Sequence, residues 1–188
     1  MGIPYFYRSV IDKYPNLIND NINKTIDNLY FDLNGLLHPV SARYYKSHPF
    51  PEDTIVFRAI IDEILKVVKY CNTKKNVFIA IDGVAPMAKI YQQRQRRFKS
   101  MIYNKMIDKK WDSNQISPGT DWMNRLDIYL QNNLKKSMPL NLQIVYSSAN
   151  VVGEGEHKIF EYMRENIDKD SINVIHGLDA DLILLSFL

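Results

Sequence analysis

Four short stretches constrain the fold more than anything else in this chain: "NLYFDLNG" (28–35), "NVFIAIDG" (76–83), "LQIVYSS" (142–148) and "INVIHG" (172–177). Each is close to continuously apolar and most close on Gly or Ser, the pattern of a strand buried on both faces. The segments between them carry helical spacing instead. "PEDTIVFRAIIDEILKVVKY" (51–70) places apolar residues at 56, 57, 60, 61, 64, 65, 67 and 68, with Asp53 or Thr54 available as N-cap. Further helices are expected over about 86–109, over roughly 119–136 after "SPGT", and from "GEGE" to about 168. This alternation specifies an α/β chain with a mainly parallel sheet flanked by helices on both faces. The aromatic-rich start, "MGIPYFYRSVIDKYP", reads as a short helix packed against that sheet, and the stretch from Pro39 to Pro51 shows no regular pattern.

With 188 residues and no repeat, low-complexity tract or linker, the chain reads as one domain with a substantial core. The single cysteine, Cys71, excludes an internal disulfide framework and fits a reducing compartment. No basic-then-apolar leader and no apolar run of membrane-spanning length is present, so a membrane partner is not expected, and the location expected is the cytoplasm, with the nucleus as the alternative. "MGIPYF" starts like a myristoylation site but carries Phe6 where Ser or Thr is required.

Acids mark the expected strand ends. Asp32 closes the first strand, Asp82 follows the apolar centre of the second, Glu154 and Glu156 follow the third, and Asp179 and Asp181 the fourth. Ligands of open parallel sheets bind outside the carboxyl ends of the strands, so these six carboxylates are placed to share one crevice. Like charges brought together stay ionised only when something neutralises them. Divalent ions with oxygen ligands, Mg²⁺ or Mn²⁺, do so economically. Two such ions about 3.5–4 Å apart suit in-line attack of water on a phosphodiester. A single Asp after a strand is often only a helix cap, and a Glu at a helix start is favoured by the dipole. Acid at all four junctions, twice in pairs one residue apart, favours the metal site over that plainer reading.

The net charge of +3 conceals an uneven distribution. Lys89 to Lys110 holds eight Lys/Arg against the lone acid Asp108. On a helix Lys89, Gln93, Arg96 and Arg97 fall within an arc of about 100°. Met87, Ile90, Tyr91, Phe98, Met101 and Ile102 gather opposite as a packing face, with Arg94 inside that arc, either snorkelling or reaching an acid. A solvated helix usually intersperses both signs, whereas Arg and Gln in a compact set suit forked hydrogen bonding to phosphate oxygens. Beside a metal-binding cluster this face reads as a phosphate clamp for one nucleic-acid strand.

"MGIPYFYRSVIDKYP", "DNLYFDLNGLLH", "IDGVAPMAKIYQQRQRRFKS", "ISPGTDWM", "GEGEHKI" and "GLDADLILL" resemble, in order, the motifs of the XRN family of 5′→3′ exoribonucleases, over nearly the whole chain. The resemblance implies the N-terminal part of a PIN- and flap-endonuclease-like nuclease core spanning 1–188, truncated at the C-terminus. It implies Mg²⁺-dependent, processive removal of nucleotides from single-stranded RNA bearing a 5′-monophosphate. On the family's pattern Asp32, Asp82, Glu154, Glu156, Asp179 and Asp181 are catalytic metal ligands. Lys89, Gln93, Arg96 and Arg97 form the 5′-phosphate pocket, and His38 stacks on the terminal base. Met87, Gln95 and Val152 stand where the family usually has Arg, Gly and Pro, and none of the three is a proposed ligand. The family's core continues beyond "LDADLILL" with another metal-binding Asp, a base-sandwiching Trp and a second conserved region. A C-terminal portion of the same protein, or a second chain, would supply these.

Two other readings remain open from the residues. A flap- or PIN-type nuclease acting on DNA or internally in RNA would use the same acids but explains the Lys89–Arg97 face less well. A non-catalytic binder of RNA 5′ ends, or an inactive fragment, would keep the clamp without turnover.

Overall fold

The computed structural model describes residues 5–19, 25–48, 52–106, 111–166, 168 and 170–187. In chain order its elements are α1 (Phe6–Lys13), β1 (Ile26–Asp32), α2 (Asn34–Ser47), α3 (Asp53–Tyr70), β2 (Thr73–Ala80), α4 (Met87–Met106), α5 (Asp121–Ser137), β3 (Gln143–Ser147), α6 (Gly155–Asn166), β4 (Asn173–His176) and α7 (Asp181–Leu185). Short 3₁₀ turns lie at Pro15–Leu17 and Ser113–Gln115. The strands form one four-stranded sheet, ordered β3-β2-β1-β4 and parallel throughout. Its register aligns Asp32 with Ala80 and Ala80 with Ser147, so neighbouring strands finish at a common edge.

Side-chain alternation along the strands explains how both faces are buried. Leu29, Phe31, Val77 and Ile79 belong to the larger core with Ile60 and Ile64 of α3 and Trp122, Leu126 and Leu130 of α5. The intervening Tyr30, Phe78 and Ala80 pack with Ile159 of α6, and Tyr162 stacks on Phe78 at 4.4 Å between ring centroids. Burying one such apolar side chain contributes roughly 1.5–3 kcal/mol. The expected α/β class, parallel sheet and helices on both faces are thus what the structure contains.

Four local expectations need correction. None of the residues of α1 is buried, and Tyr5, Tyr7 and Tyr14 are exposed, so this helix does not pack against the sheet as expected. At the start of α3 the N-cap position is Glu52, without a side-chain cap bond, and Asp53 is the first helical residue. Its carboxylate is engaged elsewhere, taking a fork from Arg125 at 2.6 and 3.1 Å and the Tyr45 hydroxyl at 2.5 Å. The segment after β1 is helical: α2 begins at Asn34 and runs through Pro39. Proline at its sixth position removes just one early intrahelical bond, so the helix tolerates it. Finally, the apolar side of α4 is not covered, since Met87, Ile90, Tyr91, Phe98, Met101 and Ile102 are all exposed and Arg94 is exposed with them. The expected end of α4 near 109 lies outside the described residues, and α6 ends at Asn166.

The helix expected after "SPGT" is present as α5, Asp121–Ser137. Thr120 caps the helix, its hydroxyl oxygen accepting from the Met123 amide at 3.3 Å.

Candidate active site

The carboxyl edge of the sheet carries the acids because each strand hands its chain directly to the next segment there. Asp32 is the last residue of β1, and Asp82 lies two residues past β2. Glu154 and Glu156 flank the first residue of α6, while Asp179 and Asp181 lead into α7. Glu154 and Glu156 are buried, Asp32, Asp82 and Asp181 are half-buried, and Asp179 is exposed.

The acid-bearing loops are fastened to one another. Gly83 donates its amide to the Gly153 carbonyl at 2.8 Å, and the Gly153 amide returns a bond to the Val84 carbonyl at 3.1 Å. A Cβ on Gly83 would lie 1.8 Å from the Val151 carbonyl oxygen, so no other residue permits this approach. Gly155 does the same for the carboxylates. Its amide donates to Asp82 Oδ1 at 2.7 Å, and a Cβ there would stand 2.9 Å from Asp32 Oδ1 and 3.3 Å from Asp82 Oδ1. The two aspartates therefore close around a bare backbone.

Carboxylate oxygens of Glu156, Asp179 and Asp181 lie within 4.8 Å of one another, and a second such group joins Glu154, Glu156 and His157. The electrostatic result is that of crowded anions. Burial, then the charges of Asp82, Glu156 and Asp179, push Asp32 up to about 7. Burial raises Asp82 as well, opposed by the Gly155 amide, and it raises Glu156, opposed by Lys89. Asp32 Oδ1 is buried with no hydrogen-bond partner among the described residues. All six predicted acids thus meet at one edge, joined through Glu156 and the Asp32–Asp82 pair.

Opposite them stands α4. Lys89 Nζ donates to Glu154 Oε2 at 2.6 Å, and Arg97 donates to Gln93 Oε1 at 3.4 Å. A cavity of about 650 Å³ lies between Asp32, Asp82 and Asp179 on one side and Gln93, Arg96 and Arg97 on the other, with His38 on its wall. A smaller one of about 360 Å³ adds Lys89 and Glu154 while sharing Asp82, Gln93, Arg96 and Asp179. The two are parts of a single crevice with an acidic floor and a cationic wall. Met87 and Val152 are exposed outside it, and Gln95 is exposed on α4.

Three contributors escaped the sequence reading. Asn34 donates to Asp82 Oδ2 at 2.7 Å while its own Oδ1 accepts from the Asp82 amide at 3.2 Å. Lys158 is buried and donates to the Ile81 and Ser148 carbonyls, both at 2.8 Å, tying the ends of β2 and β3. Burial depresses its pKa to about 8. The third is the turn at Ser113–Gln115, whose Asn114 donates to the Arg97 carbonyl at 3.3 Å and closes the far wall of the larger cavity. Asp82 lies 48 residues from Asn34, and Ile81 and Ser148 lie 77 and 10 residues from Lys158, so no local motif signals these bonds.

The sequence matches the family described as XRN 5′-3′ exonuclease N-terminus over residues 1–188. Among curated proteins it is 34% identical to the 5′-3′ exoribonuclease 2 of Eremothecium gossypii over 240 aligned residues, covering 98% of this chain and 25% of that protein. The corresponding protein of Candida albicans is 36% identical over 236 residues, covering 98% of the chain and 24% of the relative. The 5′-3′ exoribonuclease 1 of Schizosaccharomyces pombe is 35% identical over 215 residues, covering the whole chain and 16% of the relative. The chain spans a quarter or less of the length of these relatives.

Proposed function

The chain belongs to the XRN 5′→3′ exonuclease family, matching its N-terminal nuclease region, and from that premise we propose that it acts as a 5′→3′ exoribonuclease on single-stranded RNA carrying a 5′-monophosphate. The observation that carries this reading is the continuity of the crevice, in which Lys89 of the cationic wall is bonded to Glu154 of the acidic floor.

The floor suits hard divalent cations. Its donors are carboxylate oxygens, one of them is buried without a partner among the described residues, and the cluster's mutual repulsion needs positive charge to relieve it. Asp32, Asp82, Glu154, Glu156, Asp179 and Asp181 would hold the ions, Mg²⁺ or Mn²⁺ and two in number. Bound there, such ions neutralise the phosphate and lower the pKa of water.

The chain's own residues account for direction. Gln93, Arg96 and Arg97, with Lys89, take the terminal 5′-phosphate, which fixes the next phosphodiester over the acids. His38, on the cavity wall, stacks on the terminal base. Water adds to the scissile phosphorus and the P–O3′ bond breaks, the departing oxygen taking a proton. The released nucleotide ends in a 3′-hydroxyl, and the shortened RNA again carries a 5′-phosphate that fits the same wall. One product is therefore the next substrate, which favours successive removal without rebinding.

The test is degradation of 5′-monophosphate against 5′-hydroxyl RNA in Mg²⁺ or Mn²⁺, with Glu156→Gln as control. Selective loss of the monophosphate substrate, absent in the control, is expected. Equal loss of both substrates would favour an endonuclease, and salt-sensitive binding of the monophosphate without products would favour an end-binding module.

A further inference from the structure

We propose that Asn34 is the positioning residue of Asp82, the neutral bracket that aims its carboxylate at the cation site; this rests on the metal-dependent reading above.

Asn34 is the first residue of α2, two positions after Asp32, and reaches across from the end of β1 to the end of β2. Its side chain is paired reciprocally with Asp82, Nδ2 to Oδ2 at 2.7 Å and Oδ1 to the backbone amide at 3.2 Å. This pairing fixes the amide's orientation, because a flipped side chain would set oxygen against oxygen and nitrogen against N–H. Gly155 holds the other oxygen of Asp82 at 2.7 Å, so donors from α2 and α6 clamp the carboxylate from both ends. A carboxylate oxygen has two acceptor sites, and each clamped oxygen keeps one for a cation.

The amide is the chemistry the place requires. A lysine or arginine would orient Asp82 equally well, but its charge would cancel the one a cation needs; Lys89 already acts that way on Glu154. A carboxylate would add repulsion to an overcrowded cluster. Asparagine supplies a donor and an acceptor with no net charge, and its side chain reaches the lining of the larger cavity. Outer partners of this kind typically change metal affinity by about 10–100-fold when removed.

Manganese uptake by the purified chain, followed through the electron paramagnetic resonance of free Mn²⁺ and without RNA, tests the assignment. Asn34→Ala is expected to raise the half-saturating Mn²⁺ concentration about tenfold or more. Asn34→Asp preserves shape and the acceptor for the Asp82 amide while removing the donor, and is expected to weaken uptake at least as much. Both variants should retain a cooperative thermal transition. Uptake within twofold of wild type in both variants overturns the proposal, as does parallel loss of uptake and of the folding transition in both, which would make Asn34 merely structural. No uptake by the wild type would overturn the metal reading itself and the proposal with it, an outcome distinct from the other two.

Discussion

Lys89 Nζ sits 2.6 Å from Glu154 Oε2, so the cationic face of α4 and the acidic floor form one electrostatic unit. Burial alone would pull the lysine's pKa down, but the bond and charge of Glu154 outweigh it and hold the ammonium above its usual range. The same amine would face a phosphate and a metal-binding carboxylate, which makes it the hinge of the proposed reaction.

Lys89→Met should therefore reduce discrimination between 5′-monophosphate and 5′-hydroxyl RNA. A hydrogen bond to a charged group contributes about 1.5–3 kcal/mol, or roughly ten- to hundredfold in affinity. Fluorescence anisotropy with the two end-labelled RNAs measures the ratio. Full discrimination in the variant would remove Lys89 from the clamp.

Acid titration gives a second expectation. The folded chain holds the Asp32 proton up to about pH 7, whereas the unfolded chain releases it near the ordinary value of 3.8. Between those values the native state binds more protons, so stability of the metal-free protein falls as pH rises through the window. The full effect is on the order of 4 kcal/mol. In chelator, the melting temperature of Asp32→Asn should exceed that of wild type at pH 8, with the gap narrowing towards pH 5. Comparing the two proteins separates this from His176, whose burial lowers its pKa and acts in the opposite sense. A gap independent of pH would refute the assignment.

Gly155→Ala should disable the site while leaving the sheet intact. The new methyl stands 2.9 Å from Asp32 Oδ1, and the carboxylate must swing away. Misplacement of about 1 Å in reacting groups costs on the order of a hundredfold in rate. Activity within a few-fold of wild type would mean that Asp32 need not stay where the structure places it.

How much of this could be read in advance depends on how far each residue's partner lies. The strands and α3 were legible because apolar periodicity is local and a parallel sheet is the one architecture that buries such strands on both faces. The acids were legible because strand ends are where that architecture puts ligands. The helix α2 was not, since Asn34–Gly35 and Pro39 look like breakers; Asn34 is held by its side-chain bonds to Asp82, and Pro39 removes just one early intrahelical bond. On α4 the wheel located an apolar arc correctly, but periodicity reports where such residues lie and not whether anything covers them: Phe98 and Tyr91 are exposed. Asn34 and Lys158 were invisible because each acts on a neighbour that only the folded sheet supplies.

Buried Asp127 shows how the same logic extends behind the site. Its carboxylate accepts from the Tyr146 hydroxyl at 2.7 Å, Gln131 Nε2 at 2.9 Å and Asn150 Nδ2 at 3.1 Å. The last bond ties α5 to the loop that runs from β3 to Glu154. Burial, followed by Asp127, holds the Tyr146 phenol far above its usual pKa, so the hydroxyl remains a donor throughout the working range. Asp127→Asn keeps the shape and can still accept from Tyr146, but it turns an NH₂ towards two donors. Leaving a buried polar group unsatisfied costs about 1–3 kcal/mol. The expected result is a loss of that size in denaturant unfolding together with weaker Mn²⁺ uptake, because Glu154 and Glu156 follow the released loop. Tyr146→Phe removes one donor and leaves Asn150 bonded, so it should lower stability without changing uptake. If both variants retained wild-type uptake, the Asn150–Asp127 bond would not be what positions the loop, leaving that to the Gly83–Gly153 backbone bonds and Lys158.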